Sequence, residues 1–389
     1  MIALATRLMG RLPIGWLQLT HRRGRFLAAI LGVGFANLLV FMQLGFMGAL
    51  TGTVGLPYAA LDADILIQAP DANTLTDGSP VPRQRMLDAL SVPGVAAAAP
   101  VFTGKVEWRS ADSSARSLDV MAVDPRVASL QPLDGRRELL ALPGAAFIDR
   151  ATRNVPPEVF AALDAGTPQR FEFQGRSLTL HGSFTIGGSF SGDGWLVMSD
   201  QSFVTLFRNR SLHAPNIVLV RAEAGQDLAA LAARINSAFG SGDAIARPIA
   251  TALARDTSFQ TTQRPVGIIF GMGVLMGALV GIIIVYQVLS SDVADHLREY
   301  ATMKAMGYRQ RFFLGIILEQ ALVLASLGFI PGSVAAYGLY ALLTVATGIT
   351  VAMPPERLLI VLAGTVVMCV LSGALATRRL ARADPAELF

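Results

Sequence analysis

Side chains that commonly carry out catalysis are scarce in this sequence of 389 residues. Nucleophilic and metal-assisted reactions need histidine, cysteine or lysine side chains grouped together. The chain has four histidines, one cysteine and two lysines, and no HExxH, CxxC or GxSxG spacing occurs. These residues are His21, His181, His213, His296, Cys369, Lys105 and Lys304. Pairs of carboxylates do occur, and solvated surface acids account for them. The sequence therefore predicts no catalytic site and no metal site.

A site for ATP hydrolysis is excluded in the same way. A P-loop needs a lysine that reaches the β- and γ-phosphates of the nucleotide. Neither Lys105 nor Lys304 lies in a GxxxxGK[ST] pattern. We therefore expect a chain that is not an enzyme and holds no cofactor. If it performs energised work, a separate polypeptide must bind ATP and Mg²⁺.

A charged segment at residues 292–308, DVADHLREYATMKAMGY, is the best candidate for binding such a polypeptide. Apolar residues recur there every three or four positions, which predicts one face of a short helix. They are Val293, Leu297, Tyr300 and Ala301. Gly307 predicts the C-terminal end of the helix, where glycine is favoured because it tolerates positive φ. The periodicity leaves two interpretations open: a solvated connector between membrane helices, or a docking helix for a cytosolic partner.

The segment lies between apolar runs of the kind that cross membranes. The chain is 52% hydrophobic and 15% charged, with a mean hydropathy of +0.50, which is unusual for a soluble protein. Four runs reach the length of about 20 residues that a membrane-spanning helix needs. They are residues 26–50, 265–291, 312–349 and 358–377. A cleaved signal peptide is the alternative for the first run, but its 25 uncharged residues exceed the apolar core of about 7 to 15 residues in such peptides.

Two features inside these runs affect helix structure and packing. Pro331 and Gly332 predict a kink or break in the third run. The second run carries Gly273, Gly277 and Gly281 at four-residue spacing, which predicts a surface for close helix packing, either within the protomer or across a dimer.

Glu319, in the third run, lies about eight residues, or roughly 12 Å, inside the charged boundary. An ionised carboxylate at that depth is costly, so Glu319 should face protein or be protonated. A proton or ion path is one interpretation, and a role in helix packing is the one we favour, because the run contains no cation to pair with it.

Basic residues predict the orientation of the chain, because they favour the cytoplasmic side of short loops. Residues 1–25, 292–311 and 378–389 contain arginine clusters and alternate onto one side of the membrane. We expect both termini in the cytoplasm of a multi-pass protein of the bacterial inner membrane. Residues 1–25 should lie as an interfacial helix along the inner surface, and residues 378–389 should form a cytoplasmic tail.

Residues 51–264 are then predicted to form a periplasmic domain. They carry a net charge of −2, against +6 for the rest of the chain, so the basic pI reflects membrane topology rather than binding to nucleic acid. Short alternating strands mixed with helices predict an α+β domain. The fold class is therefore four transmembrane helices with an α+β domain inserted between the first and second.

These residues resemble the DevC group of ABC-transporter permeases, within the wider superfamily of MacB, FtsX and the lipoprotein-releasing Lol permeases. The resemblance covers nearly the whole chain, and the 292–308 segment is its most specific part. The other segments that carry it are FMQLGF at 41–46, DADI at 62–65, FIDRATR at 147–153, LGFIPG at 327–332 and ADPAELF at 383–389.

The resemblance implies a permease subunit with a MacB-like fold, in which residues 292–311 form the coupling helix that contacts a separate ABC ATPase. It implies further partners as well: a second copy in a homodimer, a periplasmic membrane-fusion protein, and a TolC-like outer-membrane duct. The residues to which it assigns the ATPase contact are Asp295, His296, Glu299, Tyr300, Lys304, Met306 and Gly307.

Two functional hypotheses follow from this resemblance. The first is an ATP-driven exporter of lipid-like or other amphiphilic cargo, in which ATPase closure moves the periplasmic domain. The alternative is an FtsX-like mechanotransmitting scaffold that activates a periplasmic cell-wall hydrolase. FtsX-like domains tend to be smaller than residues 51–264, which favours the exporter.

Overall fold

The computed structural model describes residues 14–109, 115–127, 130–133, 135–173, 175–188, 192–240, 242–347 and 349–382. The described chain forms two compact units. The membrane unit comprises residues 14–48, 268–346 and 350–382, and the sheet unit comprises residues 49–267 together with 347 and 349. The first half of the predicted interfacial segment, residues 1–13, and the end of the predicted tail, residues 383–389, lie outside the described residues.

The membrane unit is built from helices. They are α1 (Ile14–His21), α2 (Arg23–Ala59), α8 (Pro265–Asp295), α9 (Leu297–Ala305), α10 (Gln310–Thr347) and α11 (Pro355–Arg382). Among the described residues, four of these helices are long and apolar enough to cross a membrane, namely α2, α8, α10 and α11. Three of them contain the predicted runs 26–50, 265–291 and 358–377, whereas α10 ends at Thr347, short of the predicted bound at 349. Helix α2 continues beyond Leu50 into the sheet unit.

Of the kink or break predicted at Pro331 and Gly332, the break does not occur. Helix α10 continues through Pro331 from Gln310 to Thr347. Proline removes one backbone donor, but interrupting a helix inside an apolar layer would leave several backbone groups without partners, at several kcal/mol each. Ser333 also donates its hydroxyl to the Ile330 carbonyl at 2.9 Å, next to the proline. Continuing the helix is therefore the less costly arrangement.

Helices α2 and α10 cross closely at glycines. A Cβ on Gly332 would lie 2.6 Å from the Gly34 carbonyl oxygen, and one on Gly328 would lie 2.6 Å from the Val33 Cβ. Such distances are shorter than real contacts, so only glycine permits this approach. Small residues at spacing four are a common means of packing membrane helices.

The sheet unit contains one nine-stranded mixed sheet and the helices that cover it. The strands are β1 (Ile65–Gln68), β2 (Val95–Arg109), β3 (Ala115–Val123), β4 (Ala145–Asp149), β5 (Gln169–Phe173), β6 (Arg176–Phe184), β7 (Gly194–Ser199), β8 (Ile217–Ala222) and β9 (Ile245–Pro248). Their order is β5-β6-β4-β7-β3-β2-β8-β1-β9. The β3–β7 and β4–β6 pairs are parallel and the other pairs are antiparallel.

Side chains along each strand point alternately to the two faces of this sheet, so each face has its own hydrophobic core. Val101 packs in one cluster with Met121 and Phe147, whereas its neighbour Phe102 packs on the opposite face with Phe203. The covering helices are α3 (Gln84–Leu90), α4 (Pro157–Asp164), α5 (Asp200–Leu206), α6 (Leu228–Ala238) and α7 (Ile249–Thr262). The predicted fold class, four membrane helices with an inserted α+β domain, is confirmed.

Candidate functional site

The charged segment forms a helix that is separate from the membrane span before it. Helix α8 continues to Asp295, four residues into the segment, and α9 begins at Leu297. Between them, His296 leaves the helical region at φ −101° and ψ 13°. Its Nδ1 lies 3.0 Å from the Asp292 carbonyl oxygen, which also accepts the His296 N–H at 3.2 Å. His296 is therefore a joint between α8 and α9.

The predicted end of α9 is confirmed. Gly307 has a φ of 93°, a left-handed conformation that favours glycine. The Tyr308 N–H donates to the Met303 carbonyl and the Gly307 N–H to the Lys304 carbonyl, both at 3.1 Å. This pair of hydrogen bonds is the Schellman motif, which satisfies carbonyls at a helix C-terminus.

One face of α9 is buried in the membrane unit, as the periodicity predicts. Tyr300 and Ala301 of α9 are buried, as is Val293 at the end of α8, and Tyr300 and Phe313 pack edge to face with ring centroids 5.6 Å apart. Because the Tyr300 side chain is only 1% exposed, it cannot provide the surface contact that the resemblance assigns to it. Its burial instead anchors α9.

The outward side of α9 is polar, with an apolar tip. Glu299 and Gly307 are exposed, and the Met306 side chain is 65% exposed. Lys304, in the last helical turn, is half-buried. The Glu299 carboxylate near the N-terminus and the Lys304 ammonium near the C-terminus both have the sign that the helix dipole favours. A partner approaching α9 would therefore meet an acidic group, a basic group and a flexible apolar side chain.

Helix α1 packs on α10 where Glu319 lies. A Cβ on Gly15 would lie 2.8 Å from the Ile316 carbonyl oxygen, so glycine allows the close approach. The Trp16 N–H, in the first described turn of α1, donates to Glu319 Oε1 at 3.2 Å. Glu319 is only 4% exposed, so it faces protein, as predicted.

A cluster of polar groups joins α1, α8, α9 and α10. The Tyr300 hydroxyl donates to Gln18 Oε1 at 3.0 Å. Gln320 Nε2 lies 3.2 Å from the same oxygen and 2.7 Å from Asp292 Oδ2. We call Gln18, Asp292, Tyr300 and Gln320 the four-helix node.

Two arginines add ionic contacts at the surface beside this node. Arg22 Nη1 lies 2.8 Å from Asp295 Oδ2, and Arg25 pairs with the same carboxylate and with Ser291. Asp295 is therefore engaged within its own chain. Because all three ionic side chains are partly exposed, each pair contributes little to stability.

The glycines of the second run face α2 of the same chain. A Cβ on Gly277 would lie 2.9 Å from Val40 Cγ2, and one on Gly281 would lie 3.2 Å from the Ala36 Cβ. At Gly273 the nearest atoms belong to the Gln43 side chain. The structure thus places all three glycines at a contact within the protomer.

Sequence reasoning located the charged segment but did not identify the side chains that contact it. Glu319 and Gln320 are noticeable as polar residues in an apolar run, but their contacts, Trp16 and Gln18, lie about 300 positions away in the sequence. No local spacing connects them. Within the described ranges, no group of three or more histidine, cysteine or acidic side chains is arranged to hold a metal ion.

Two family models match the sequence. Residues 26–238, more than half of the chain, match the MacB-like periplasmic core domain. Residues 271–385 match the FtsX-like permease C-terminal model, and this range includes α8 from residue 271 onward, α9, α10 and α11. Comparison with curated protein sequences finds no match.

Solved structures similar to this chain include two extracytoplasmic regions of transporters. The periplasmic region of MacB from Actinobacillus actinomycetemcomitans is 8% identical with a TM-score of 0.34, and the match covers 49% of this chain and 91% of that one. The extracellular domain of the noncanonic ABC-type transporter YknZ from Gram-positive bacteria is 12% identical with a TM-score of 0.33, covering 48% and 98%.

Proposed function

Since the chain belongs to the MacB/FtsX-like family of ABC-transporter permeases, we propose that it transmits the motion of a separate cytoplasmic ATPase to its own inserted domain. The observation that carries the proposal is α9. This helix ends in a defined cap, is buried on one face, and presents Glu299, Met306 and Gly307 outward. A helix fixed on one side and exposed on the other is suited to receive force from a docked protein.

Within this proposal, the ATPase contacts the outward side of α9 and the turn that follows it. Glu299, Lys304, Met306 and Gly307 provide the contact surface, and His296 sets the angle at which α9 leaves α8. Met306 supplies an adaptable apolar contact, and the two charged residues select a partner of complementary charge. Tyr300 supports α9 from the inside through Gln18, and Asp295 pairs with Arg22 at the surface beside the start of α9.

Charge reversal on α9 tests the docking surface. With the ATPase subunit that co-purifies with the parent chain, we expect Glu299→Lys and Lys304→Glu to weaken binding at least tenfold, about 1.4 kcal/mol. Both reversals also oppose the helix dipole, so Glu299→Gln and Lys304→Gln serve as matched variants and should have smaller effects. Glu223→Lys, at an exposed position of the sheet unit, is the control. Unchanged affinity in both reversals would contradict docking on α9.

We also propose that the chain lies in the inner membrane with α9 and both termini in the cytoplasm, and with the sheet unit in the periplasm. The positive-inside distribution of arginine supports this orientation. The single native cysteine, Cys369, is buried, so introduced cysteines can be labelled selectively. A membrane-impermeant thiol reagent applied to spheroplasts should label Glu223→Cys, and should label Met306→Cys only after the membrane is permeabilised. The reverse pattern would refute the orientation.

The remaining assignments concern export. We propose a DevC-type exporter that works as a homodimer with a membrane-fusion protein and an outer-membrane duct, and that carries amphiphilic cargo. A cavity of about 150 Å³ in the sheet unit supports an amphiphile, because its lining combines apolar side chains with polar and charged ones, among them Arg264 and Asp256. Its volume suits part of a molecule rather than a whole one. Its apolar side chains are Leu50, Val54, Pro57, Leu75, Trp195 and Val266.

Deletion and co-purification test the export assignment. Loss of the chain should abolish efflux of an amphiphilic dye, and a membrane-fusion protein should co-purify with the parent. Co-purification of a cell-wall hydrolase instead, with normal efflux in the deletion strain, would overturn export in favour of a scaffold.

A further inference from the structure

We propose that the four-helix node joins α9 to the nearest ends of α1, α8 and α10, so that these four segments move together. Gln18 and Tyr300 are then positioning residues for force transmission. This inference rests on the proposed function, because it concerns how a displacement of α9 reaches the membrane helices. It adds α1, which lies near the start of the chain, to the helices that transmit the displacement of α9.

The backbone alone is a poor connection between α9 and α8. His296 interrupts the helical φ and ψ between them, although its N–H still donates to the Asp292 carbonyl, so a push on α9 could be absorbed by rotation at this residue. The node spans the interruption. Asp292 belongs to α8 and Tyr300 to α9, and both are linked through Gln18 and Gln320.

Gln18 is the central residue of the node because its Oε1 receives two donors. One is the Tyr300 hydroxyl from α9 and the other is Gln320 Nε2 from α10. Gln320 then reaches α8 through Asp292 at 2.7 Å. Removing Gln18 therefore breaks the hydrogen-bonded link between α9 and α10 and leaves the packing of Tyr300 on Phe313, whereas the Gln320 contact with Asp292 can persist.

Burial of two node residues makes these hydrogen bonds costly to break. Gln320 is 0% exposed and Tyr300 is 1% exposed, whereas Gln18 and Asp292 are half-buried, so the loss of a partner leaves an unsatisfied group on Gln320 or Tyr300 that carries a desolvation cost. The edge-to-face contact with Phe313 also fixes the direction of the Tyr300 ring. The nearby Arg22 and Arg25 pairs with Asp295 are exposed to solvent, and for that reason we assign them a minor share of the coupling.

The first test needs no partner. Amide hydrogen exchange is measured on the full chain in lipid nanodiscs for Tyr300→Phe, Gln18→Leu and the double variant. Each single variant should lower protection in both α9 and α1 by about two- to twelvefold, the range expected for one intramolecular hydrogen bond. The double variant should be no worse than Gln18→Leu, because that substitution already removes the Tyr300 contact. Tyr337→Phe, at a side chain that is 65% exposed on α10, makes the same chemical change and should have no effect on either segment.

The second test separates force transmission from docking. Tyr300→Phe should bind the co-purifying ATPase with a Kd within about twofold of the parent, because the exposed residues of α9 are unchanged. ATP-driven transport per ATP hydrolysed should fall at least threefold. Glu299→Lys should show the opposite pattern. It should bind the ATPase more weakly, but the complexes that do form should transport as much per ATP hydrolysed as the parent. A purely structural role for Tyr300 would lower the amount of folded protein without changing this ratio.

Each outcome decides one proposal. Unchanged exchange in α1 for both single variants, or parental transport per ATP in Tyr300→Phe, overturns the node as a coupling element. Failure of the parent chain to bind an ATPase overturns the proposed function, whereas the exchange measurements still report whether the node joins α9 to α1.

Discussion

The crossing of α2 and α10 gives the sharpest prediction about stability. Replacing Gly332 by alanine would place a Cβ 2.6 Å from the Gly34 carbonyl oxygen and 2.8 Å from the Asn37 Cβ. Ordinary contact begins at 3.4 Å, so the helices must separate locally by about 0.8 Å, since neither neighbour is the end of a flexible side chain.

The cost of this separation can be worked from packing. A gap of about 0.5 to 1 Å forfeits roughly a quarter to a half of the dispersion energy of each affected atom pair. Inserting a methyl group into a packed interior costs about 1–3 kcal/mol. The partner atoms at Gly332 are backbone and a Cβ, so we place Gly332→Ala in the upper half of this range, about 2–3 kcal/mol.

The assay is thermal unfolding of the purified full chain in detergent, followed by helical circular dichroism. We expect Gly332→Ala to unfold several degrees below the parent. The matched control is Gly338→Ala on the same helix, because a Cβ there meets nothing within 4 Å. Since alanine is the better helix former, this control should be as stable as the parent or slightly more so. Equal unfolding temperatures for the two variants would refute close packing at Gly332.

Further predictions concern the sheet unit in the same purified chain. Burial raises the pKa of Asp256 from its ordinary value of 3.8. Above pH 3.8 the folded chain therefore retains a proton that the unfolded chain releases. Stability falls as the pH rises from the unfolded pKa to the folded pKa of this carboxyl. Asp256→Asn cannot ionise and should flatten this dependence in unfolding measured from pH 4 upward; an unchanged slope would contradict it. Asp256→Ala removes the acceptor of the Tyr58 hydroxyl and the Leu75 N–H, both at 3.0 Å, and should cost about 1–3 kcal/mol for each donor left unsatisfied. Asp227 accepts from two N–H groups at the start of α6, so Asp227→Ala should cost about 1 kcal/mol, whereas Asp227→Asn should cost much less; equal unfolding temperatures for these two would argue against a capping role.

The sequence is sufficient to predict the membrane helices and the position of α9, because local periodicity determines both. The face containing Val293, Tyr300 and Ala301 repeats at helical spacing, and Gly307 ends the helix with the positive φ expected of it. The same local information misjudges Pro331, since a helix in an apolar layer has no water to satisfy the groups that a break would release.

Elements and contacts that depend on distant parts of the chain could not be predicted. Strand β9 has only four residues and ends in Pro248, so it has little strand pattern of its own and exists because it pairs with β1. Tyr300 illustrates the same difficulty within the candidate site. Its type and spacing suit either a surface contact or a buried anchor, and only the folded structure shows that it is buried, with Gln18 as its hydrogen-bond partner.

The placement of β1 determines when the sheet can be completed during synthesis. This strand lies between β8 and β9, and Gln68 pairs with Ile217 and Ile245, about 150 residues or more later in the chain. At a translation rate of roughly 5–20 residues per second, both edges of β1 stay open for about 8–30 s after it leaves the ribosome. The nascent domain must therefore be shielded from aggregation throughout this interval. The last strand is finished only 17 residues before Pro265 begins α8, so closure of the sheet nearly coincides with delivery of the second membrane helix to the insertion machinery.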